Sequence, residues 1–244
     1  MRLLIAIDDT DNLESRGTGF RARTLGARIE SSNLGRLRGV TRHQLLVHPE
    51  IPYTSHNSAL CIDVETESGS LTELQDYCRE FLLAEAAPGS DAGLCVANWD
   101  DVDDAVIGWG RSAQRQILYL PAAHELASAH GIMLEGLTGE RIGAIGALAA
   151  AGLRRTGDDG RFVWLRGVRE LNGVHRVETL LKKTGIEQVR ARTGERPEPG
   201  DRVLVDPWPR ALLIKNRAVL LVDKSKSADD HEWQLVGRDV IRQY

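Results

Sequence analysis

The sequence predicts an α+β protein: a ferredoxin-like βαββαβ unit, a helical segment joined to it, and a small β-rich C-terminal part. Three observations lead there. Apolar runs of strand length alternate with two stretches of helical spacing over residues 1–98. Helical patterns then dominate to about residue 154. From about Arg176 the apolar runs shorten and turn residues multiply. The chain divides accordingly into 1–170, with the βαββαβ unit and the helical segment (one body or two segmented subdomains), and 171–244.

The elements follow in order. "RLLIAI" is a continuous apolar run and reads as a buried strand. "TGFRARTLGARIESSNL" brings Phe20, Leu25 and Ile29 onto similar faces of a helix, with Gly35 ending it. "GVTRHQLLVH" reads as a strand, and Pro49 and Pro52 make "PEIPYTSHNS" a loop. "ALCIDVET" is a strand, "SLTELQDYCREFLLAEA" an amphipathic helix ending before Pro88, and "AGLCVAN" a strand. "DDVDDAVIGWGRSAQRQIL", "AAHELASAHG" and "GERIGAIGALAAAGL" read as helices. "RFVWLRGV", "DRVLVD", "RALLIKNRAVLLVD" and "WQLVGRDV" read as strands, with a hairpin turn at Asn216-Arg217. "ARTGERPEPGD" is the best linker candidate.

Composition narrows the function. The 244 residues are 42% hydrophobic, enough for a sizeable core, and the net charge of −4 gives no global sign of a nucleic-acid binder. No apolar stretch reaches membrane-spanning length, and the opening run is too short for a signal peptide, so a cytoplasmic protein is expected. Cys61, Cys78 and Cys95 form no C-x-x-C pair, which argues against a cysteine zinc site; Cys61 and Cys95 read as buried thiols. Lysine occurs only at 182, 183, 215, 224 and 226, so a phosphate-binding side chain earlier in the chain must be Arg or His.

The chemistry concentrates at "IAIDDTDNLESRGTGF". Asp8, Asp9 and Asp11 crowd the end of the first strand, where like charges repel unless a cation joins them. Magnesium takes one or two carboxylates together with phosphate oxygens and water. Neighbouring side chains on extended backbone point opposite ways, so two of the three aspartates are expected on one metal. A turn is the plain alternative for "DTDN". Gly17, Thr18 and Gly19 then open a helix, and backbone N–H groups freed at a helix start bind anions. Thr18 acting only as an N-cap is the plain alternative there. "GTGFRA" fits the dinucleotide fingerprint in spacing only, because "DDTDNLESR" separates it from the strand; a P-loop needs a lysine this region lacks.

Three stretches together resemble the archaeal tRNA agmatidine synthetase family over about residues 1–170. They are "IAIDDTDN" with its glycine-threonine turn, "LLVHPEIPYTSHNSAL", and "GERIGAIGALAAAGL". The second keeps Pro49, Ile51, Pro52, Thr54, Asn57 and Ala59 of the family's loop. The resemblance implies a kinase-like domain joined to a ferredoxin-like one, with ATP used to activate a tRNA cytidine. It implies that Asp8, Asp9 and Asp11 are the acidic metal and ATP site and that Asn57 lies near the nucleotide. The departures are specific. Tyr53 and Ser55 stand where the family has lysine and arginine, and His56 and Ser58 replace its glycines. The family's phosphorylated threonine has no clean equivalent, since alignment on Gly17 puts Phe20 there. No cysteines follow to build a zinc ribbon.

Other candidates compete with structural readings. Arg42, His43, His48 and His56 could meet phosphate or move a proton. Asp100, Asp101, Asp103 and Asp104 suit the first turn of a helix. Arg111 and Arg115 share a helical face. "TGERIG" offers a second phosphate edge through Gly143, with Arg141 as its cation.

The reading is a phosphotransferase or ligase-type enzyme, kinase- or ligase-like, that uses ATP and Mg²⁺ on a small-molecule acceptor. Asp8 and Asp9 hold the metal, and Asp9 and Asp11 serve the chemistry. Gly17, Thr18, Gly19, Asn57, Arg141 and Gly143 hold the nucleotide. The alternatives are a tRNA-modifying enzyme, disfavoured because RNA-binding parts are missing, and a non-catalytic nucleotide or metal sensor. No membrane partner is expected, and a homodimer stays open.

Overall fold

The computed structural model describes residues 1–52, 57–67, 71–226 and 230–241. The chain divides into two compact units, Met1–Thr156 and Gly157–Tyr244. The division falls before the strand "RFVW", which the sequence reading groups with the first part.

The first unit follows the order β1 (Arg2–Asp8), α1 (Thr18–Ser31), β2 (Arg36–Gln44), β3 (Ser58–Glu65), α2 (Leu71–Glu85) and β4 (Gly93–Asn98). The strands pair antiparallel in the order β4-β1-β3-β2. β1 is central, and Leu3 to Ile7 are wholly buried because both faces of the sheet are covered. Alternation along β1 decides what each side chain meets. Leu4 and Ala6 face a core shared with Ala59, Cys61, Cys95 and Ala97 and with later helices. α1 buries Ala22, Leu25 and Ile29 at helical spacing. Its Gly26 lies against Leu37 of β2 and Ile62 of β3.

Three further helices complete the unit: α3 (Asp104–Ala113), α4 (Leu120–Ala129) and α5 (Gly143–Thr156). α5 is nearly all small and apolar, and almost every residue in it is buried. Gly152 meets the α3 backbone at Val106, where a β-carbon would stand 2.2 Å from a carbonyl oxygen. Small residues thus let α5 lie close to both sheet and helix. Between α4 and α5 runs β5 (Met133–Gly136), antiparallel to β4. The sequence reading has no strand here: four half-buried residues after Gly131 carry no clear period.

α3 starts later than expected. Trp99–Asp101 is a single 3₁₀ turn, and Asp103 caps α3 by accepting from the N–H groups of Ala105 and Val106 at 2.9 and 3.3 Å. The 100–104 aspartates are therefore turn and cap residues.

The second unit contains β6 (Arg161–Trp164), β7 (Gly173–Arg176), α6 (Val177–Lys183), β8 (Gln188–Ala191), β9 (Arg202–Val205), β10 (Leu212–Ile214), β11 (Arg217–Lys224), β12 (Trp233–Leu235) and α7 (Arg238–Ile241). The strand order is β6-β10-β11-β12-β9-β7, with β8 parallel to β11. Its core gathers around Trp233 and Leu220. Two expectations change here. "VETLLKK" is a short helix rather than part of a β run. "WQLVGRDV" splits into β12 and α7 at Gly237. The β10–β11 turn also lies one residue earlier than expected. Ile214 pairs with Arg217, leaving Lys215 and Asn216 as the two turn residues at φ 49° and 60°.

Candidate functional site

The alternation that buries Leu4 and Ala6 puts Asp8 on the same face, toward α5. There it meets Gly146: a β-carbon on that glycine would lie 1.8 Å from the Asp8 Oδ2. Asp9 has φ 47°, a left-handed conformation that Asp adopts more readily than most residues. The strand therefore ends in a sharp turn at Asp9.

The next aspartate is held differently. Thr18, the first residue of α1, is buried, and its hydroxyl donates to the Asp11 carboxylate at 2.5 Å. The same hydroxyl oxygen accepts from the Thr10 backbone N–H at 3.3 Å and lies 3.1 Å from the Thr10 hydroxyl. Thr18 therefore ties the aspartate turn to the start of α1. Gly17 is the N-cap residue of this 14-residue helix, which has no side-chain cap and no acid in its first turn. The first N–H groups of a helix have no intrahelical acceptor. Neither an N-cap side chain nor a first-turn acid caps this end; the Asp11 carboxylate approaches it from the preceding turn.

Charge is crowded. The Asp8 carboxyl is pushed up to about 8, first by desolvation and then by repulsion from Asp9 and Asp11, with Arg42 and the Asp9 backbone opposing. Asp9 is pushed up to about 6 by desolvation, then by Asp91 and Asp11. Arg42 is the nearby cation. Burial lowers its own pKa, and the attraction of Asp11 and Asp8 opposes that loss. Its Nε is buried without a hydrogen-bond partner. Its guanidinium reaches Gly19, where a β-carbon would stand 3.0 Å from one terminal nitrogen.

A cavity of about 220 Å³ opens beside these groups. Asp8, Asp9, Asp11, Thr18, Gly143 and Gly146 form its polar and backbone side. Leu45, Ile51, Pro52, Ile117, Leu118 and Ile145 form an apolar wall. Asn57 and Glu50 also line it. The Asn57 amide donates to the Leu46 carbonyl at 2.6 Å, which fixes its orientation.

The structure brings Asp8, Asp9, Asp11, Thr18, Asn57 and Gly143 into one cavity wall. Gly17 and Gly19 flank Thr18 without lining the cavity. Arg141, at φ 67°, is exposed and stands outside the lining. The "TGERIG" segment is occupied by the protein itself. The Gly143 N–H donates to the Asp91 carbonyl at 3.0 Å, Glu140 N–H donates to the Asp91 carboxylate, and the Thr138 hydroxyl donates to the Ser90 carbonyl at 2.6 Å.

His43 is fully buried and shares a 2.8 Å hydrogen bond with the Thr41 hydroxyl, so it is a core residue. His48 accepts from the Glu50 N–H at 3.3 Å within its own turn. Arg111 and Arg115 are exposed and outside the cavity lining. His56, Tyr53, Thr54 and Ser55 lie outside the described residues. The three cysteines are free and buried.

Sequence reasoning misses Asp91 and underweights Gly146. Asp91 precedes β4 as a single acid in a turn and reaches the cluster only through the β1–β4 pairing. Gly146 sits inside an alanine-rich helix that reads as packing. Its partner at the end of β1, Asp8, becomes visible only when α5 is placed on that face of the sheet.

Among the described residues, no three of His, Cys, Asp and Glu form a metal-ligand cluster, and no helix is long and apolar enough to cross a membrane.

No family model matches the chain, and no curated protein sequence matches it. Solved structures do. Apo TiaS, the agmatidine synthetase of an isoleucine tRNA, is similar at 25% identity and a TM-score of 0.54, covering 62% of this chain and 35% of that one. A complex of TiaS with that tRNA and ATP is similar at 28% identity and a TM-score of 0.55, covering 62% and 36%. A complex of TiaS with the tRNA, AMPCPP and agmatine is similar at 26% identity and a TM-score of 0.54, with the same coverage. The chain thus spans about a third of the length of these proteins, and part of it has a TiaS-like fold.

Proposed function

We propose that the first unit holds an ATP–magnesium complex in the Asp8–Thr18 cavity and serves an ATP-dependent enzyme that modifies tRNA. One observation carries this reading: crowded, desolvated carboxylates and a helix start without a capping side chain share a single cavity wall. The two features have opposite charge preferences. A divalent ion relieves the first, a polyphosphate suits the second, and a metal–nucleotide complex supplies both. The structural likeness to enzymes solved with ATP and tRNA supports the same assignment.

The donor set fits magnesium. Asp8 and Asp9 offer hard carboxylate oxygens, and two suffice when phosphate oxygens and water complete the shell. The ion supplies charge neutralisation for phosphoryl or nucleotidyl transfer. The chain's own groups position the rest. Thr18 and Gly19 present backbone N–H groups to phosphate. Asp11, anchored by the Thr18 hydroxyl, keeps the aspartate turn registered on α1. Gly143 contributes close approach rather than donation, because its N–H is already used. The apolar wall at Leu45, Ile51 and Ile117 receives a planar base. Arg141, being outside, reaches only a ligand portion that protrudes.

The acceptor reading shifts from the sequence-based preference. One of the compared complexes holds a tRNA, AMPCPP and agmatine together. An RNA acceptor and a small molecule are therefore compatible in one reaction, and the tRNA-modifying reading is preferred here.

The test is thermal melting with ATP, with and without Mg²⁺. Saturation at about 100 times Kd stabilises by about 2.7 kcal/mol, a rise of several degrees. Wild type should show it only with both components, and Asp8→Asn should lose it. An equal rise in Asp8→Asn overturns the assignment.

A further inference from the structure

We infer that Trp208, in the second unit, is a stacking platform for a base of single-stranded RNA. The inference rests on the tRNA reading only for the choice of RNA. Its structural evidence is separate.

Trp208 is 56% exposed, the most exposed tryptophan among the large exposed hydrophobics. An indole has much to gain from burial, so leaving it in water at a loop tip is unfavourable. Its backbone is also unusual, with φ 68°. A bulky residue rarely adopts that conformation, and backbone outliers of this kind cluster at binding sites. Pro207 and Pro209 flank it, and Pro209 is buried, so the loop is braced around the ring. Two unfavourable features meet in one side chain that the unit's own core does not use.

The neighbour of the ring identifies the partner's chemistry. The Arg169 guanidinium stands 4.4 Å from the ring centroid. It comes from the segment before β7, and Trp208 follows β9; the antiparallel pairing of Gly173 with Val205 brings the two segments together. The pair is a flat aromatic face backed by a cation. A base stacks on the indole while its phosphate lies beside the guanidinium. An apolar protein pocket would instead have to desolvate Arg169.

The charge of the unit agrees. Residues 157–244 carry 17 Lys and Arg against 14 Asp and Glu, whereas residues 1–156 carry 14 against 21. The chain's overall acidity therefore belongs to the first unit. Every lysine lies in the second. A basic module joined to an acidic one is the asymmetry that polyanion binding favours.

The experiment is fluorescence anisotropy of the full chain with a labelled single-stranded RNA dodecamer and with bulk tRNA, at low and physiological salt. Trp208→Ala should weaken dodecamer binding about tenfold or more, with an unchanged salt slope. Trp208→Phe should restore most of it, and Arg169→Gln should reduce the slope by about one. Wild-type binding that is absent at low salt, or unchanged in Trp208→Ala, overturns the inference. A melting curve on each variant checks folding. The Mg-ATP shift measured on wild type separates the two readings: a normal nucleotide shift without RNA binding sinks this inference alone.

Discussion

The Asp8 carboxylate lies directly against the Cα of Gly146, so closely that a methyl group on that glycine would stand 1.8 Å from Oδ2. One hydrogen atom on α5 therefore makes room for the acid at the end of β1. The contact is specific to this residue pair. Alanine is otherwise favoured over glycine in helices by about 1 kcal/mol.

Gly146→Ala should therefore destabilise despite its better helix propensity, by about 1–3 kcal/mol, the range for overpacking. It should also displace Asp8 and remove the Mg-ATP shift. Asp8→Gly combined with Gly146→Ala removes the clashing carboxylate and should recover basal stability without the nucleotide response. Urea melts of the three proteins check this.

The pH dependence of the metal-free protein follows from the same acid. Asp8 in the folded state is raised from the ordinary 3.8 to about 8, so folding retains its proton between those values. The stability it contributes is intact below the ordinary carboxylate value and is lost as pH rises through about 8. Asp9 acts in the same direction through about 6. Metal-free protein should be less stable at pH 8 than at pH 5, by an amount on the order of a few kcal/mol. Asp8→Asn should flatten the slope. Denaturant midpoints at the two pH values measure it.

Thr18→Val keeps the shape but removes the hydroxyl that donates to Asp11 at 2.5 Å and accepts from Thr10 N–H at 3.3 Å. A buried donor and a carboxylate lose their partner, which costs about 1–3 kcal/mol. The nucleotide shift should fall as well, because the aspartate turn is released from α1. Thr18→Ser retains the hydroxyl and should stay near wild type. Paired melts with and without Mg-ATP distinguish the variants.

A further prediction of stability concerns the opposite end of β1. Asp63 of β3 is 1% exposed and accepts from Arg2 at 3.0 and 2.7 Å and from Arg154 at 2.6 Å. Burial alone would raise its pKa, but Arg2 and Arg154 outweigh that and hold it below the ordinary value. Its contribution is present above that value and lost as pH falls through the lowered one. Asp63→Asn leaves Arg154 charged and buried, and should cost about 3–5 kcal/mol with no direct effect on the Asp8–Thr18 cavity. Urea denaturation at pH 7 checks the magnitude.

Much of this was legible in the chain. The apolar run Leu3–Ile7 announced a central strand, and "DDTDN" at its end announced the crowded carboxyls that the structure places there. The helical spacing of α1 and α2 was plain because each keeps one buried stripe. β5 was hidden by its shortness and half-buried edge position. α6 was hidden because "VETLLKK" is too short for its period to register. "TGERIG" looked like a phosphate edge because glycines free N–H groups; in the fold the N–H groups of Glu140 and Gly143 donate to Asp91, distant in sequence.

Two features of the site are written into short stretches of the chain: β1 ends in crowded carboxylates, and α1 opens on a glycine-flanked threonine. Local pattern sets both, since alternation and helix-start chemistry act over a few residues. Packing alone adds Asp91 and Arg42 to the charge cluster and seats Asp8 on Gly146. Those relationships run between segments joined by strand pairing and helix packing, and proximity across a sheet leaves no mark on neighbouring residues.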